Sequence, residues 1–234
     1  MNLLLLSSSR VGDSAYLETA KELISQHFSN KQNIVFVPYA GVTISWDDYT
    51  AKVQAALPEL TITGLHSYRD PVKAIQDCDG ILVGGGNTFQ LLNTLYQQSL
   101  HKVIFEHVSQ GTPYAGWSAG ANIAGNSIRT TNDMPIVQPP SFAALQLVPF
   151  QINPHYTEYQ PPGHNGETRE DRLREFMVVA PNMPVVAIPE GVALIQKQHS
   201  LKIHGELGAY LFAQGEKSTF QDGDDLSYLL QTKA

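Results

Sequence analysis

The chain has 234 residues, 42% of them hydrophobic and 16% charged, with a formal net charge of −7 and one cysteine. That length can bury a sizeable core as one α/β domain over 1–234 without a disulfide or metal staple, and the lone Cys78 excludes an intrachain disulfide framework. The acidic balance argues against nucleic-acid binding, and any anionic substrate must be drawn by a local basic cluster, not by the overall field.

The opening Met1-Asn2-Leu3-Leu4-Leu5-Leu6-Ser7 has no basic lead and too short an apolar run for a leader peptide or a membrane span, so a soluble, cytoplasmic protein without a membrane partner is expected. Apolar runs predict strands at 2–6, 33–37, 60–65, 80–83 and 113–116, several too continuously apolar to face water on either side. Between them, Leu17, Ala20, Leu23, Ile24 and His27 share one helical face, and Trp46, Tyr49, Val53 and Ala56 repeat the pattern. Asp70-Pro71 is a helix opening, another helix follows Asn87, and 101–110 stays helical until Gly111. This rhythm predicts a parallel sheet with helices on both faces.

Beyond Ala124 the pattern loosens into polar, proline-rich loops at 130–135, 138–141 and 159–166. A helix over 168–177 follows, with Thr168 and Asp171 in capping-box spacing. Short strands at 185–188, 192–195, 201–203 and 209–212 predict an antiparallel extension of the parallel sheet, and Thr232-Lys233-Ala234 are expected to fray. Cys78, between a helix and a strand, belongs at the amino end of the sheet as an inert packed thiol.

Chemistry concentrates in Gly116-Trp117-Ser118-Ala119-Gly120, where a strand runs into a small-residue helix. Gly-x-Ser-x-Gly in that context is a nucleophile elbow, which exposes a serine hydroxyl at the carboxyl end of the sheet. Gly84-Gly85-Gly86-Asn87 also follows a strand and precedes a helix, but it lacks the Lys-Ser/Thr ending and the spacing of nucleotide-binding loops. Beside an elbow, the amides of Gly85, Gly86 and Ala119 can instead form an oxyanion hole.

A serine nucleophile needs a base. His155 closes the strand-like Phe150-Gln151-Ile152-Asn153-Pro154 and is the best placed of the eight histidines; His164, in a Pro-Gly loop, is the second choice. Two carboxylates could orient the imidazole. Glu190 ends a strand-then-turn at the same sheet edge as Ser118 and is favoured, while Asp133 lies in a polar loop where it could cap backbone amides or bind substrate.

Six segments occur together and in order: Gly84-Gly85-Gly86-Asn87-Thr88-Phe89-Gln90, Gly116-Trp117-Ser118-Ala119-Gly120-Ala121-Asn122, Arg129-Thr130-Thr131-Asn132-Asp133-Met134-Pro135, Ile152-Asn153-Pro154-His155, Gly166-Glu167-Thr168-Arg169 and Pro189-Glu190-Gly191. Together they resemble the peptidase E family of α-aspartyl dipeptidases, from the first strand to about residue 213, with the departure mainly in the tail after Phe212, away from every motif quoted. The resemblance implies a three-layer αβα fold, flavodoxin-like or class I glutamine-amidotransferase-like, and hydrolysis of short peptides bearing an N-terminal aspartate. It implies Ser118 as nucleophile, His155 as base, Glu190 in the triad role and Asp133 as a functional position, with no metal and no cofactor. The expected partner is a small peptide, taken by a monomer or small homo-oligomer. Asn87 and Arg169 are the candidate substrate contacts: a planar guanidinium suits a carboxylate, although Arg169, Arg172 and Arg174 could equally form surface contacts on their helix. Two other readings are a related hydrolase of another aspartyl compound, as in the cyanophycinases, and a non-catalytic anion-binding module using Gly84–Gly86.

Overall fold

A computed structural model describes residues 1–231; the fraying expected at Thr232-Lys233-Ala234 lies outside the described residues. The early apolar runs form β1 (Asn2–Leu6), β2 (Ile34–Val37), β3 (Ile62–Gly64), β4 (Gly80–Val83) and β5 (Tyr114–Trp117). These pair in parallel in the order β3-β2-β4-β5-β1. Successive side chains enter opposite cores: Leu3, Leu5, Val35, Val37, Ile81 and Val83 one, Leu4, Leu6, Ile34, Phe36, Leu82 and Trp117 the other. With both faces covered, neither set can be polar, which explains the unbroken apolar runs.

Helices α1 (Lys21–His27) and α2 (Trp46–Ala56) close one face, and α3 (Pro71–Asp77), α4 (Thr88–Gln97) and α5 (Leu100–Ser109) the other. Asp70 caps α3 by accepting from the Lys73 amide, with Pro71 in the first turn, as the sequence predicts. The chain steps outward from β1 to β2 and β3, then returns through β4 and β5, and this reversal puts helices on both faces. The order is that of flavodoxin, with the strand that would come last in the chain moved to its start. Connections from β2 and β4 leave in opposite directions, so a crevice opens at their carboxyl ends.

After β5 come α6 (Ala119–Asn122), β6 (Gln151–Pro154), α7 (Arg169–Val179), β7 (Val185–Ile188), β8 (Ala193–Lys197), β9 (Ser200–His204), β10 (Ala209–Ala213) and β11 (Glu216–Phe220). Strands β8 and β9 extend the first sheet antiparallel beyond β1, making seven strands. The sequence predicts all the late strands on that sheet; β7 and β10 instead join β6 and β11 in a second, four-stranded sheet ordered β11-β10-β7-β6. The chain changes sheets at its breaks: Pro189-Glu190-Gly191 between β7 and β8, with Gly191 at φ 83°, and the turn from Gly205 (φ 133°) to Gly208 (φ 63°) between β9 and β10. Helix α7 covers the second sheet through Leu173 and Met177, which pack on Val185, Ala187 and Phe212. Its expected capping box is present: Thr168 and Asp171 exchange both bonds.

At the amino end of the first sheet, Cys78 is buried and its thiol pushed up to about 12 by that burial, in keeping with an inert role. Nearby, His27 of α1 places Nε2 at 3.1 Å from the Tyr114 carbonyl, so Nε2 carries the proton and donates. Burial lowers the His27 pKa from 6.5 to about 4, outweighing that hydrogen bond. The unfolded chain therefore binds a proton at higher pH than the fold does. This contribution is fully present above pH 6.5 and is lost as pH falls through the window down to about 4. The loss amounts to about 3 kcal/mol. Urea unfolding at about pH 7.5 and about pH 4.5 checks it: His27→Gln should lose less stability between the two than the parent. Equal losses in both proteins would show that His27 is not an acid-labile point.

Candidate active site

Ser118 follows β5 directly, at φ 54° and ψ −114°, and α6 begins at the next residue. A non-glycine residue in that backbone region costs on the order of 1–3 kcal/mol, sustained only where the surroundings over-determine it. They do so here through backbone contact. A Cβ on Gly116 would lie 2.4 Å from the Gly120 carbonyl oxygen, and one on Gly120 2.3 Å from that of Val83. The two glycines of the elbow thus let β5, α6 and β4 touch backbone to backbone, which holds the serine in its strained turn. The Ser118 amide donates to the Leu6 carbonyl at 3.1 Å, fixing the turn to β1 as well.

The glycine strip after β4 lies against the serine, for a Cβ on Gly85 would come within 2.9 Å of Ser118 Cβ. Tyr49 donates from its hydroxyl to the Gly85 carbonyl at 2.9 Å. In a trans peptide the following N–H points the opposite way, so this bond also sets the direction of the Gly86 amide. Among the described residues, the amides of Gly85, Gly86 and Ala119 have no protein acceptor. Backbone donors without an acceptor near a serine hydroxyl are groups that an oxyanion can use. Asn87, expected to contact substrate, is occupied at both ends: Oδ1 accepts from the Gln90 amide and caps α4, while Nδ2 donates to the Met134 carbonyl at 2.9 Å. These bonds brace the loop and leave one Nδ2 hydrogen for a further acceptor.

His155 follows β6 directly, at φ 53°. Its Nδ1 lies 2.8 Å from Glu190 Oε1, and its Nε2 lies 3.0 Å from Ser118 Oγ. A carboxylate only accepts, so Nδ1 carries the proton and Nε2 is left to accept from the serine hydroxyl. His164 sits in an exposed loop with Nε2 at 3.5 Å from the Glu167 carbonyl, so the second-choice base is not at the serine. Glu190 stands in the crossover between the two sheets, as its strand-then-turn context predicts. Asp133 is placed otherwise. Its Oδ2 accepts from the Thr88 amide at 2.7 Å and the Thr88 hydroxyl at 2.6 Å, at the positive end of α4, and it makes no bond to His155.

Two braces have only a faint mark in the sequence. Ser7, fully buried just past β1, donates to the Ile188 carbonyl at 2.8 Å and accepts from the His155 amide at 2.8 Å. A polar residue ending the run Leu3–Leu6 is its only signal. Strand β6 is a sheet edge, and side chains pair with it in place of a strand: Asn122 Nδ2 and Thr130 Oγ1 donate to the Ile152 carbonyl at 2.7 and 2.9 Å, and Asn132 Nδ2 to that of Pro154 at 2.8 Å.

Arg169 opens α7 half-buried. No carboxylate lies within 4 Å of it among the described residues. Burial first, then the neighbouring Arg172 charge, lowers its pKa, and Asp133 works the other way. It lines a hollow of about 210 Å³ with Thr157, Tyr159 and Arg172, separate from the one at Ser118. Arg174 is paired with Glu170 at 2.8 Å. Strand β11, which the sequence reading does not include, carries Lys217. This lysine bonds Glu158 and Glu170 and lies 4.8 Å from the centre of the Tyr210 ring. The tail after Phe212 thus returns to the segment following His155 and to α7.

Ser118, His155, Gly85, Gly86 and Asn87 line a hollow of about 580 Å³ at the crevice between β2 and β4. The chain matches the profile of peptidase family S51 over residues 3–204. It is 55% identical to a peptidase E of Shewanella putrefaciens (strain CN-32) over 99% of both chains. It is also 55% identical to a peptidase E of Shewanella denitrificans (strain OS217), over 98% of this chain and 99% of that one. The similarity therefore runs through the tail, past residue 213. Among solved structures, a candidate peptidase E from Listeria monocytogenes EGD-e superposes with a TM-score of 0.64 at 25% identity, over 87% of this chain and 98% of that one. A peptidase from an acI-B1 actinobacterium shares the fold, with a TM-score of 0.67 at 18% identity over 96% of each chain.

The Ser7 brace makes a prediction. Ser7→Ala leaves the part-buried His155 amide unpaired, while the Ile188 carbonyl keeps the Tyr156 amide at 3.1 Å, so the cost is about 1–3 kcal/mol of stability. Because it also frees the backbone that carries the imidazole, kcat should fall on the order of tenfold to a hundredfold with KM nearly unchanged. Steady-state kinetics decide it: an unaltered kcat would reduce Ser7 to a packing residue.

Proposed function

The chain belongs to peptidase family S51, and from the arrangement at Ser118 we propose that it is a serine-type dipeptidase that cleaves Asp-Xaa after the N-terminal aspartate. The observation that carries this reading is the line Ser118 Oγ, His155 Nε2, His155 Nδ1, Glu190 Oε1, with spacings of 3.0 and 2.8 Å at its two hydrogen bonds. Ser118 Oγ attacks the scissile carbonyl as Nε2 takes its proton, and Glu190 stabilises the imidazolium that forms. The oxyanion turns to the amides of Gly85, Gly86 and Ala119, where one lost donor typically costs about 3 kcal/mol of barrier. The imidazolium then protonates the leaving amine. Water, with His155 again as base, hydrolyses the acyl-enzyme and frees aspartate. Arg169 is the nominee for the side-chain carboxylate. An unpaired, half-buried guanidinium at the positive end of a helix, beside Arg172, is a charge that an anion would relieve.

The test is a panel of Asp-Leu, Asn-Leu, Glu-Leu and Ala-Leu, together with labelling of Ser118 by a serine-directed phosphonate. Ser118→Ala should abolish turnover and labelling. A Ser118→Ala protein keeping a tenth of the parent kcat would sink the serine mechanism. An unlabelled but ligand-binding protein would point to an anion-binding module, and preference for a longer aspartyl substrate to a cyanophycinase-like hydrolase.

Because Glu190 rather than Asp133 faces the imidazole, Glu190→Gln should lower kcat more than Asp133→Asn, an amide at that place favouring the wrong tautomer. The reverse ranking in steady-state kcat would hand the orienting role to Asp133.

Arg169→Met should cut kcat/KM on Asp-Leu by about a hundredfold and erase its preference over Asn-Leu, with Arg174→Met a surface control. Unchanged selectivity would mean that the carboxylate is read elsewhere.

A further inference from the structure

The hollow at Ser118 has a charge character unlike that of the whole chain. Although the protein carries 22 acidic residues against 15 Lys and Arg, no Asp or Glu is among the described residues lining this hollow, and Lys52 is its only Lys or Arg. Lys52 projects from the middle of α2, and its Nζ lies over the Tyr16 ring at 4.2 Å from the centroid. Among the described residues, no carboxylate lies within 4 Å of it. The ring on which it rests belongs to the oxyanion machinery: the Tyr16 hydroxyl donates to the Tyr49 hydroxyl at 3.3 Å, and Tyr49 donates to the Gly85 carbonyl at 2.9 Å. Burial, then Tyr49, raises the Tyr16 phenol far above its ordinary value, so the ring stays neutral under the ammonium. Arg10 is close enough to act on the same phenol.

We infer that Lys52 receives the free C-terminal carboxylate of the departing residue, and so makes the site a reader of dipeptides. This rests on the aspartyl-dipeptidase reading. In Asp-Xaa the terminal carboxylate follows the scissile bond by one residue, and consecutive Cα atoms are only about 3.8 Å apart. The terminal carboxylate can therefore reach a cation that lines the same hollow as the oxyanion. Lys52, Tyr16, Tyr49 and Gly85 form one connected series, which fixes the ammonium relative to the amides that hold the carbonyl. Arg169 comes from α7 on the second sheet and Lys52 from α2 on the first, so the two carboxylates of the substrate have separate cations.

The experiment compares Asp-Leu with Asp-leucinamide, which differ only in that terminal charge. The parent enzyme should favour the acid by about tenfold or more in kcat/KM, mostly through KM, and the advantage should shrink at high salt. Lys52→Met should bring the ratio to about one, and Lys52→Arg should restore most of it. A Lys52→Met enzyme with the parent ratio, or a parent enzyme indifferent to the amide, overturns the inference. So does a Lys52→Met enzyme that loses its preference for Asp-Leu over Asn-Leu, because Lys52 would then be reading the aspartyl side chain. Failure of the underlying reading looks different: the parent enzyme would cleave neither Asp-Leu nor Asp-leucinamide.

Discussion

Everything at the site depends on holding two β-sheets in register at one seam. Ser118 rises from the first sheet and His155 from the second, so their 3.0 Å contact is a contact between sheets. The buried Ser7 hydroxyl spans that seam, giving its proton to β7 and its lone pair to the backbone of His155. The Ser7 amide donates to the Val192 carbonyl at 2.9 Å, just past the Glu190 turn. One residue at the end of β1 thus meets the strand before Glu190, the turn after it, and the residue that must face Ser118.

Strain is placed on both sides of the seam. Ser118 and His155 share nearly the same positive φ, 54° and 53°, and neither is glycine. Each would relax if its strand end were free. The first is held by backbone contacts at Gly116 and Gly120, the second by Ser7 and by the amide side chains along the edge of β6. Directing two side chains toward each other across a gap requires sharp departures from strand geometry. Those departures persist only because the rest of the structure is stiff on both sides.

What the sequence discloses follows from where the physics is local. The first five strands, the helices between them and the elbow at Ser118 are written in continuous apolar runs, caps and small residues, all short-range signals. Glu190 was legible for the same reason, since a strand followed by Pro-Glu-Gly can only place its acid at a sheet end. The division into two sheets was not legible, because β7 and β8 look alike as apolar runs and their partners are decided by distant pairing. Strand β11 escaped because Glu216-Lys217-Ser218-Thr219-Phe220 lies at an edge and is largely exposed, so it shows no apolar face. Asp133 was ambiguous for a different reason. A carboxylate that caps α4 through Thr88 and one that orients an imidazole need the same residue type, and only coordinates separate them.

The acidic chain and its anionic substrate are reconciled by where each carboxylate goes. Asp133 is neutralised against the amide end of α4, and Glu158 and Glu170 are gathered by Lys217. Burial works against the Lys217 charge, yet the bonds from Glu158, Glu170 and Tyr156 outweigh it and raise its pKa. Glu170 is correspondingly lowered, first by Lys217 and then by Arg174. Acids near the site are thus committed to helix ends, to lysine or to the imidazole, while Lys52 and Arg169 have no carboxylate within 4 Å among the described residues. The local field depends on which charges are already paired, so a net charge of −7 is compatible with cations at Lys52 and Arg169 that have no nearby carboxylate among the described residues. The same acids cross-link the second sheet, since Lys217 of β11 binds Glu170 of α7 and Glu158 in the segment after His155. One set of ion pairs thus both occupies these acids and links β11, α7 and the segment after His155.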